Sequence, residues 1–186
     1  IQFDLTAQYI DHGFWRRQAE AADPSEAIGR QFQELSLDFE VAEEWNIDEE
    51  DRTCFLCSRN RRSQLFDIAR KKGYNKIALG HHKDDLIETF MLNAVYSGNI
   101  STMVPKQDLF GGTLSIVRPM AYLEKYEVCQ IAAGLKLEIV KNLCPLSDDT
   151  RREKVRSLLQ TLYQDEPAAK NSLFAALSNV RVDYLL

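Results

Sequence analysis

With 186 residues, 45% of them hydrophobic and 27% charged, the chain has the length for one domain and a sizeable core. No apolar run approaches a membrane span and no signal peptide is visible, so the expectation is a cytoplasmic protein without a membrane partner. The net charge of −5 argues against a protein that coats nucleic acid, but leaves room for a local basic groove. Four unevenly spaced cysteines make no disulfide framework and suit a reducing setting.

The chain begins with Ile1 rather than Met, and residues 1–5 already read as the lead-in to a strand. An N-terminal piece is therefore expected to be missing. Phe3, Leu5, Ala7 and Tyr9 alternate with polar residues up to Ile10, which is a strand pattern. Asp11, His12 and Gly13 follow, then an aromatic and basic loop. Asp23, Pro24 and Glu26 form a helix start, and Ile28, Phe32 and Leu35 lie on one side of that helix. Residues 37–42 read as a second strand and residues 43–51 as a solvated acidic loop. Cys54 opens a helix that Gly73 ends.

Residues 76–79 form a short strand that stops at Gly80, and a helix follows with Leu86, Ile87, Phe90, Met91, Ala94 and Val95 at helical spacing. Asp84 and Glu88 share a face away from that stripe. Residues 103–106 and 113–117 flank a Gly111-Gly112 turn and predict a hairpin. Residues 124–133 read as a helix, 137–140 as a last short strand and 142–149 as a loop holding Cys144. Thr150 with Glu153 is a capping box for a helix to about residue 164, and Pro167 starts a final helix. Strands alternating with helices predict a parallel, layered α/β sheet. The expected organisation is an α/β domain over residues 1–145 with a helical extension over 146–186.

Gly80, His81, His82, Lys83, Asp84 and Asp85 fall between strand and helix, outside the carboxyl end of a strand, where ligands bind in open α/β sheets. Gly80 allows close approach to the backbone. Two adjacent carboxylates at a helix start can hold a metal ion, orient a base or cap the helix. His12 follows the first strand as His81 and His82 follow the central one, and histidines lining a nucleotide site are the favoured reading.

Cys54 and Cys57 form a C-x-x-C that fits a redox pair, half a zinc site or cluster ligands. The preceding acidic loop, rather than a strand, weakens the redox reading. Zinc needs two more ligands, and no second closely spaced pair exists. Cys144 is the other loop cysteine, while Cys129 reads as a core thiol. Three loop cysteines suit an iron–sulfur cluster with one iron free of protein thiolate. On spacing alone, zinc and iron–sulfur stand level. Arg59, Arg61 and Arg62 after Cys57 are either a solvated helix face or a phosphate clamp. Arg151, Arg152, Lys154 and Arg156 crowd a helix start, where positive charge is unfavourable unless an anion binds, and this favours phosphate or nucleic-acid contact.

Taken together and in order, CFLCSRNRR, KIALGHHKDD with ET after it, IVRPMAY and NLCP resemble the 2-thiocytidine tRNA synthetases. These are tRNA-thiolating members of the PP-loop, or N-type ATP pyrophosphatase, superfamily. The resemblance covers the chain from about Leu5 onward. It implies an adenine-nucleotide α-hydrolase-like fold, and a reaction in which ATP adenylates the C2 oxygen of an anticodon-loop cytidine before sulfur replaces it. The family's cluster ligands match Cys54, Cys57 and Cys144, for a 4Fe–4S cluster with one free iron site. Its G-H-x-x-D-D element matches Gly80, His81, Asp84 and Asp85, with Mg2+ expected near the two aspartates. Its basic residue after the second cysteine matches Arg61, and the backbone at Ile10, Asp11 and His12 is expected near the adenine. Arg59, Arg62, Arg151, Arg152, Lys154 and Arg156 are the expected tRNA contacts.

The implied partners are tRNA, ATP and a sulfur donor, either a cysteine desulfurase or free sulfide, with a homodimer as the expected assembly. One departure matters. The family's S-G-G-x-D-S loop, which cradles the ATP phosphates, occurs nowhere in these residues. The expectation is a truncated piece that is inactive by itself. Two other readings remain open: a PP-loop tRNA ligase resembling lysidine synthetase, and a non-catalytic, zinc-stabilised RNA-binding module.

Overall fold

A computed structural model describes residues 3–147 and 150–184. Ile1 and Gln2 of the expected strand lead-in, Asp148 and Asp149 of the expected loop, and the last two residues of the tail lie outside the described residues. Two compact units emerge. The first runs to Gly73 and takes in Ala132–Ser147; the second comprises Tyr74–Ile131 and the C-terminal helices. The sequence-based division keeps residues 1–145 together, whereas the contacts share them between both units.

In the first unit, β1 (Thr6–Asp11) and β2 (Asp38–Glu43) pair in parallel, with Thr6 opposite Asp38 and Asp11 opposite Glu43. A parallel pair needs a crossover, and α1 (Pro24–Glu34) supplies it. The Asp23 carboxylate caps α1 by accepting from the Ser25 N–H at 2.8 Å. Gly29 keeps α1 close to β2: a Cβ there would stand 3.2 Å from the Phe39 ring, which stacks on Phe32 with centroids 5.5 Å apart. Helix α2 (Cys54–Lys72) is capped by Thr53, whose hydroxyl accepts from the Leu56 N–H at 3.2 Å, and it ends at a left-handed Gly73. Buried Gln64 ties α2 to the end of β2, donating to the Glu43 carbonyl at 2.6 Å and accepting from the Trp45 N–H at 3.1 Å.

Two expectations fail in this unit. Residues 137–140 form no strand. Lys136 adopts a positive φ of 55°, Ile139 is 92% exposed, and the Glu138 carbonyl accepts from the Gln31 side chain instead of a ladder partner. The segment after Glu43 is not wholly a solvated loop either, since the side chain of Glu44 is only 6% exposed.

In the second unit, β3 (Lys76–Ala78) runs parallel to β5 (Leu114–Val117), whose other edge pairs antiparallel with β4 (Lys106–Leu109). The expected parallel pairings are present, but in two sheets, and β4 is antiparallel. The hairpin forms with its first strand starting at Lys106, after Pro105, which has no N–H to give a ladder.

Helix α3 (Lys83–Leu92) continues through a π-helical turn, Asn93–Ser97, to Gly98. Its Ile87 is fully buried against Val155 and Leu159 of α5 (Arg151–Asp165), with Leu173 and Phe174 of α6 (Ala169–Ala176) packed around them. The Thr150 hydroxyl accepts from the Glu153 N–H at 3.1 Å, so half of the expected capping box is present, while the Glu153 carboxylate accepts from Arg156 at 2.9 Å rather than from the Thr150 N–H. On α4 (Lys125–Gly134), Cys129 is exposed and is not the expected core thiol. Among the described residues no helix is long and apolar enough to cross a membrane.

Candidate functional site

Within the first unit, Cys54 is the first residue of α2 and Cys57 lies three positions on, so both share one side of the opening turn. Cys54 is exposed, and Cys57 and Cys144 are half-buried. The Cys54 thiol donates to the Leu146 carbonyl at 3.5 Å, which brings the loop of Cys144 against the helix start. That loop is held in turn by Asn142, whose side chain accepts from the Cys144 N–H at 3.1 Å. All four cysteines are free thiols. Among the described residues no three His, Cys, Asp or Glu side chains close on a single metal ion. Two thiols in the first turn of a helix, with a third on a loop bonded to that helix start, supply three thiolates, the number a three-cysteine cluster takes and one short of a four-thiolate zinc site.

Behind Cys57 stands an ion pair that the sequence did not announce. Arg52 donates to Glu44 at 2.8 Å and to the Cys57 sulfur at 3.6 Å. Burial pushes the Cys57 thiol above its ordinary pKa, and Arg52 pulls the other way. The signal available in the sequence was a lone arginine directly after an acidic run.

At the end of β1, Ile10 and Asp11 are each only 5% exposed. The Asp11 carboxylate accepts from the Gly13 N–H at 2.8 Å, from Trp15 at 3.3 Å and from Arg16 at 2.7 Å. Asp11 and His12 line a cleft of about 170 Å³ that Arg16, Glu44, Trp45 and Arg52 share. Arg59, Arg61 and Arg62 are exposed on α2.

The second unit carries the aspartate pair, in a different state. Asp85 caps α3, its carboxylate accepting from the His82 N–H at 2.9 Å. Asp84 accepts from the Lys125 N–H at 2.8 Å and pairs with Lys170 of α6 at 2.7 Å. Burial alone would raise the Asp84 pKa, but Lys170 and the Lys125 N–H more than offset it and hold the carboxyl below its usual range. Lys170 also reaches Glu124 at 2.8 Å, and buried Lys83 donates to Glu124 at 3.1 Å and to Asn171 at 2.7 Å. A magnesium ion on Asp84 would have to displace Lys170, while Asp85 has one carboxylate oxygen engaged by the His82 N–H. Gly80 leads into this turn. His81 accepts from Arg118 Nε at 3.4 Å through Nδ1, and burial lowers its pKa.

Arg152 and Arg156 both bind buried Glu88, at 2.9 and 2.8 Å. The anion that the crowded helix start called for is therefore supplied from inside the unit. Arg151 lies 5.0 Å over the Tyr96 ring, and Lys154 is exposed on α5. Glu44, Arg52, Arg118, Glu124 and Lys170 were not singled out from the sequence.

The parallel pairings and their helices define an α/β protein, and the PP-loop domain family matches residues 1–162. The protein from Citrifermentans bemidjiense named tRNA-cytidine(32) 2-sulfurtransferase is 33% identical, over all of this chain and 74% of its own length. The chain belongs to that family of PP-loop proteins. A namesake from Anaeromyxobacter sp. (strain Fw109-5) is 36% identical over the whole chain, which spans 62% of that relative, and the chain spans 65% of the Dechloromonas aromatica relative. The U34-tRNA thiolase NcsA from Methanococcus maripaludis, solved with its [4Fe-4S] cluster, superposes with a TM-score of 0.75. It is 21% identical and matches 94% of this chain and 60% of its own, a likeness of fold.

Proposed function

We propose that the protein to which this chain belongs is an ATP-dependent tRNA 2-thiolating enzyme. The observation that carries this reading is the gathering of Cys54, Cys57 and the Cys144 loop as free thiols at one helix start, in a chain whose relatives are named as tRNA-cytidine 2-sulfurtransferases. In the proposed reaction the cytidine C2 oxygen attacks the α-phosphorus of ATP and pyrophosphate leaves. A sulfur nucleophile then adds at C2, and AMP departs with the oxygen. The activation is needed because an oxygen on a pyrimidine ring is a poor leaving group and AMP is a good one. A 4Fe–4S cluster on the three thiolates would leave one iron open to present sulfur.

Arg61 is the proposed stabiliser of phosphate charge, and the backbone at Ile10, Asp11 and His12 the proposed adenine contact. Gly80 and His81 are the proposed nucleotide contacts of the second unit. Arg59, Arg62, Arg151 and Lys154 are the proposed tRNA contacts. Arg152 and Arg156, already engaged by Glu88, would contribute chiefly by holding α5. The sulfur would come from a cysteine desulfurase or from free sulfide, in the cytoplasm where the tRNA is.

The test is anaerobic reconstitution of the full-length protein with iron and sulfide, with metal and sulfide counting and electron paramagnetic resonance, beside Cys144→Ala. The expected result is a cluster near full occupancy, lost or degraded in the variant, and 2-thiocytidine formed in tRNA only with ATP. Zinc without iron, or a cluster and thiolation both indifferent to Cys144, would overturn the reading.

A further inference from the structure

Of the three thiols, Cys57 has its sulfur against a buried charged side chain. Arg52 donates from one nitrogen, Nη1, to Glu44 at 2.8 Å and to Sγ of Cys57 at 3.6 Å. Its Nε stands 3.6 Å from Glu49, and its guanidinium lies 5.2 Å over the Phe14 ring. The side chains of Arg52 and Glu44 are 9% and 6% exposed. The other carboxylate oxygen of Glu44 is 2.7 Å from His12 Nδ1, and His12 stacks on Phe14 with centroids 5.6 Å apart. Four neighbours thus fix a long side chain that would otherwise sample many rotamers. A buried ion pair is a weak source of stability, and apolar residues of similar volume often replace it without loss. What apolar residues would not supply is the N–H directed at sulfur.

We propose that Arg52, locked by Glu44, Glu49 and Phe14, is a positioning residue for Cys57 as a cluster ligand, donating an N–H···S hydrogen bond to its thiolate. The inference rests on the three-cysteine cluster reading above. The two helix thiols differ in a way that supports it. Cys54 acts as a donor, to the Leu146 carbonyl, and a thiolate has no proton to give, so that bond is lost on ligation. At Cys57 the sulfur is the acceptor, and the bond strengthens once the sulfur is anionic. Hydrogen bonds to ligand sulfur stabilise the more reduced cluster and raise its potential, and partners of this kind also slow metal loss.

The experiment compares the full-length parent with R52Q, R52K and the apolar pair E44M/R52M after anaerobic reconstitution with iron and sulfide. The readouts are the cluster midpoint potential, from titration followed by electron paramagnetic resonance, and the rate of iron release to a chelator. The expected result is a more negative potential in R52Q and in E44M/R52M, with iron lost on the order of tenfold faster. R52K, which keeps a donor and the charge, is expected to fall between them and the parent. E44M/R52M covers the case in which R52Q strands Glu44 and fails to fold. Parent-like potential and iron release in a folded R52Q or E44M/R52M would overturn the inference and leave the cluster reading standing. A parent that takes up zinc or no cluster would overturn that reading itself, before any variant is compared.

Discussion

Cys54, Cys57 and Cys144 border the start of α2 with few structural partners, whereas Asp84, Asp85 and Glu88, at the start of α3, each hold one or more. Among the thiols, Cys54 has a single long bond to a carbonyl and Cys57 is met by one arginine. The Asp84 carboxylate holds a backbone N–H and an ammonium, Asp85 caps its helix, and Glu88 carries two arginines. Both stretches look like metal or phosphate sites by residue type. The difference is which groups the fold has already consumed. Ligand chemistry is available at the thiols without dismantling structure, while at the carboxylates a cation must compete with lysine or arginine.

The widest separation between the two regions is expected in stability. Replacing Arg152 and Arg156 together by Met strands Glu88, whose side chain is 7% exposed. The expected cost is about 3–5 kcal/mol in urea unfolding, as for other broken buried pairs. A cost under about 1 kcal/mol would return both arginines to the pool of surface charges available to RNA.

Lys170→Met is expected to cost less, about 2 kcal/mol, because Asp84 keeps the Lys125 N–H and its side chain is 21% exposed. This cost should depend on pH in a specific way. The Asp84 carboxyl is held below its ordinary 3.8, so its share of the stability is present above that value and is lost as pH falls through the folded pKa. For Lys170, burial lowers the pKa but Asp84 and Glu124 outweigh it and raise it above its ordinary 10.5. Its share is therefore complete below 10.5 and is lost as pH rises through the raised value. The difference between parent and variant should be flat near neutrality and shrink at both extremes. A difference that changes across neutral pH would mean that other groups dominate.

Cys54→Ala tests the other side of the comparison. Cys54 is exposed, so the expected stability change without metal is under about 1 kcal/mol. Iron uptake under reconstitution should nevertheless fall steeply. A large loss of stability with cluster uptake unchanged would reverse the assignment of the two regions.

Local features were legible in the sequence because they depend on neighbours in the chain. The Asp23-Pro24 start of α1, the Thr150 cap of α5 and the Gly73 stop of α2 form as expected. The approach of the Cys144 loop to Cys54 was inferable only because the motif order resembles a family, since the Cys54–Leu146 contact spans 92 residues. Charge runs were the least legible. Whether Arg152 meets a phosphate or Glu88 turns on a contact 64 residues away in sequence, and whether Asp84 is open turns on Lys170, on a helix that a periodicity argument places but does not orient. Residues 137–140 alternate like a strand, but alternation says only which faces a strand would have, and no partner edge is offered there among the described residues.

The smallest expected effect separates the two basic clusters. Arg59 is exposed on α2, and Arg152 is tied to Glu88. If Arg59 contacts tRNA phosphate, Arg59→Ala in the full-length protein should leave stability within about 0.5 kcal/mol. It should reduce the slope of log affinity against log salt by about 0.7–0.9, the value of one released counterion. Arg152→Gln should lower stability and leave that slope unchanged, because its charge is already balanced within the unit. Filter binding of tRNA between about 50 and 200 mM salt reads both. Equal slopes for parent and Arg59→Ala would remove α2 from the RNA-binding surface. A reduced slope for Arg152→Gln would mean that Glu88 gives up its arginine when RNA arrives, so that the carboxylate region exchanges partners on binding.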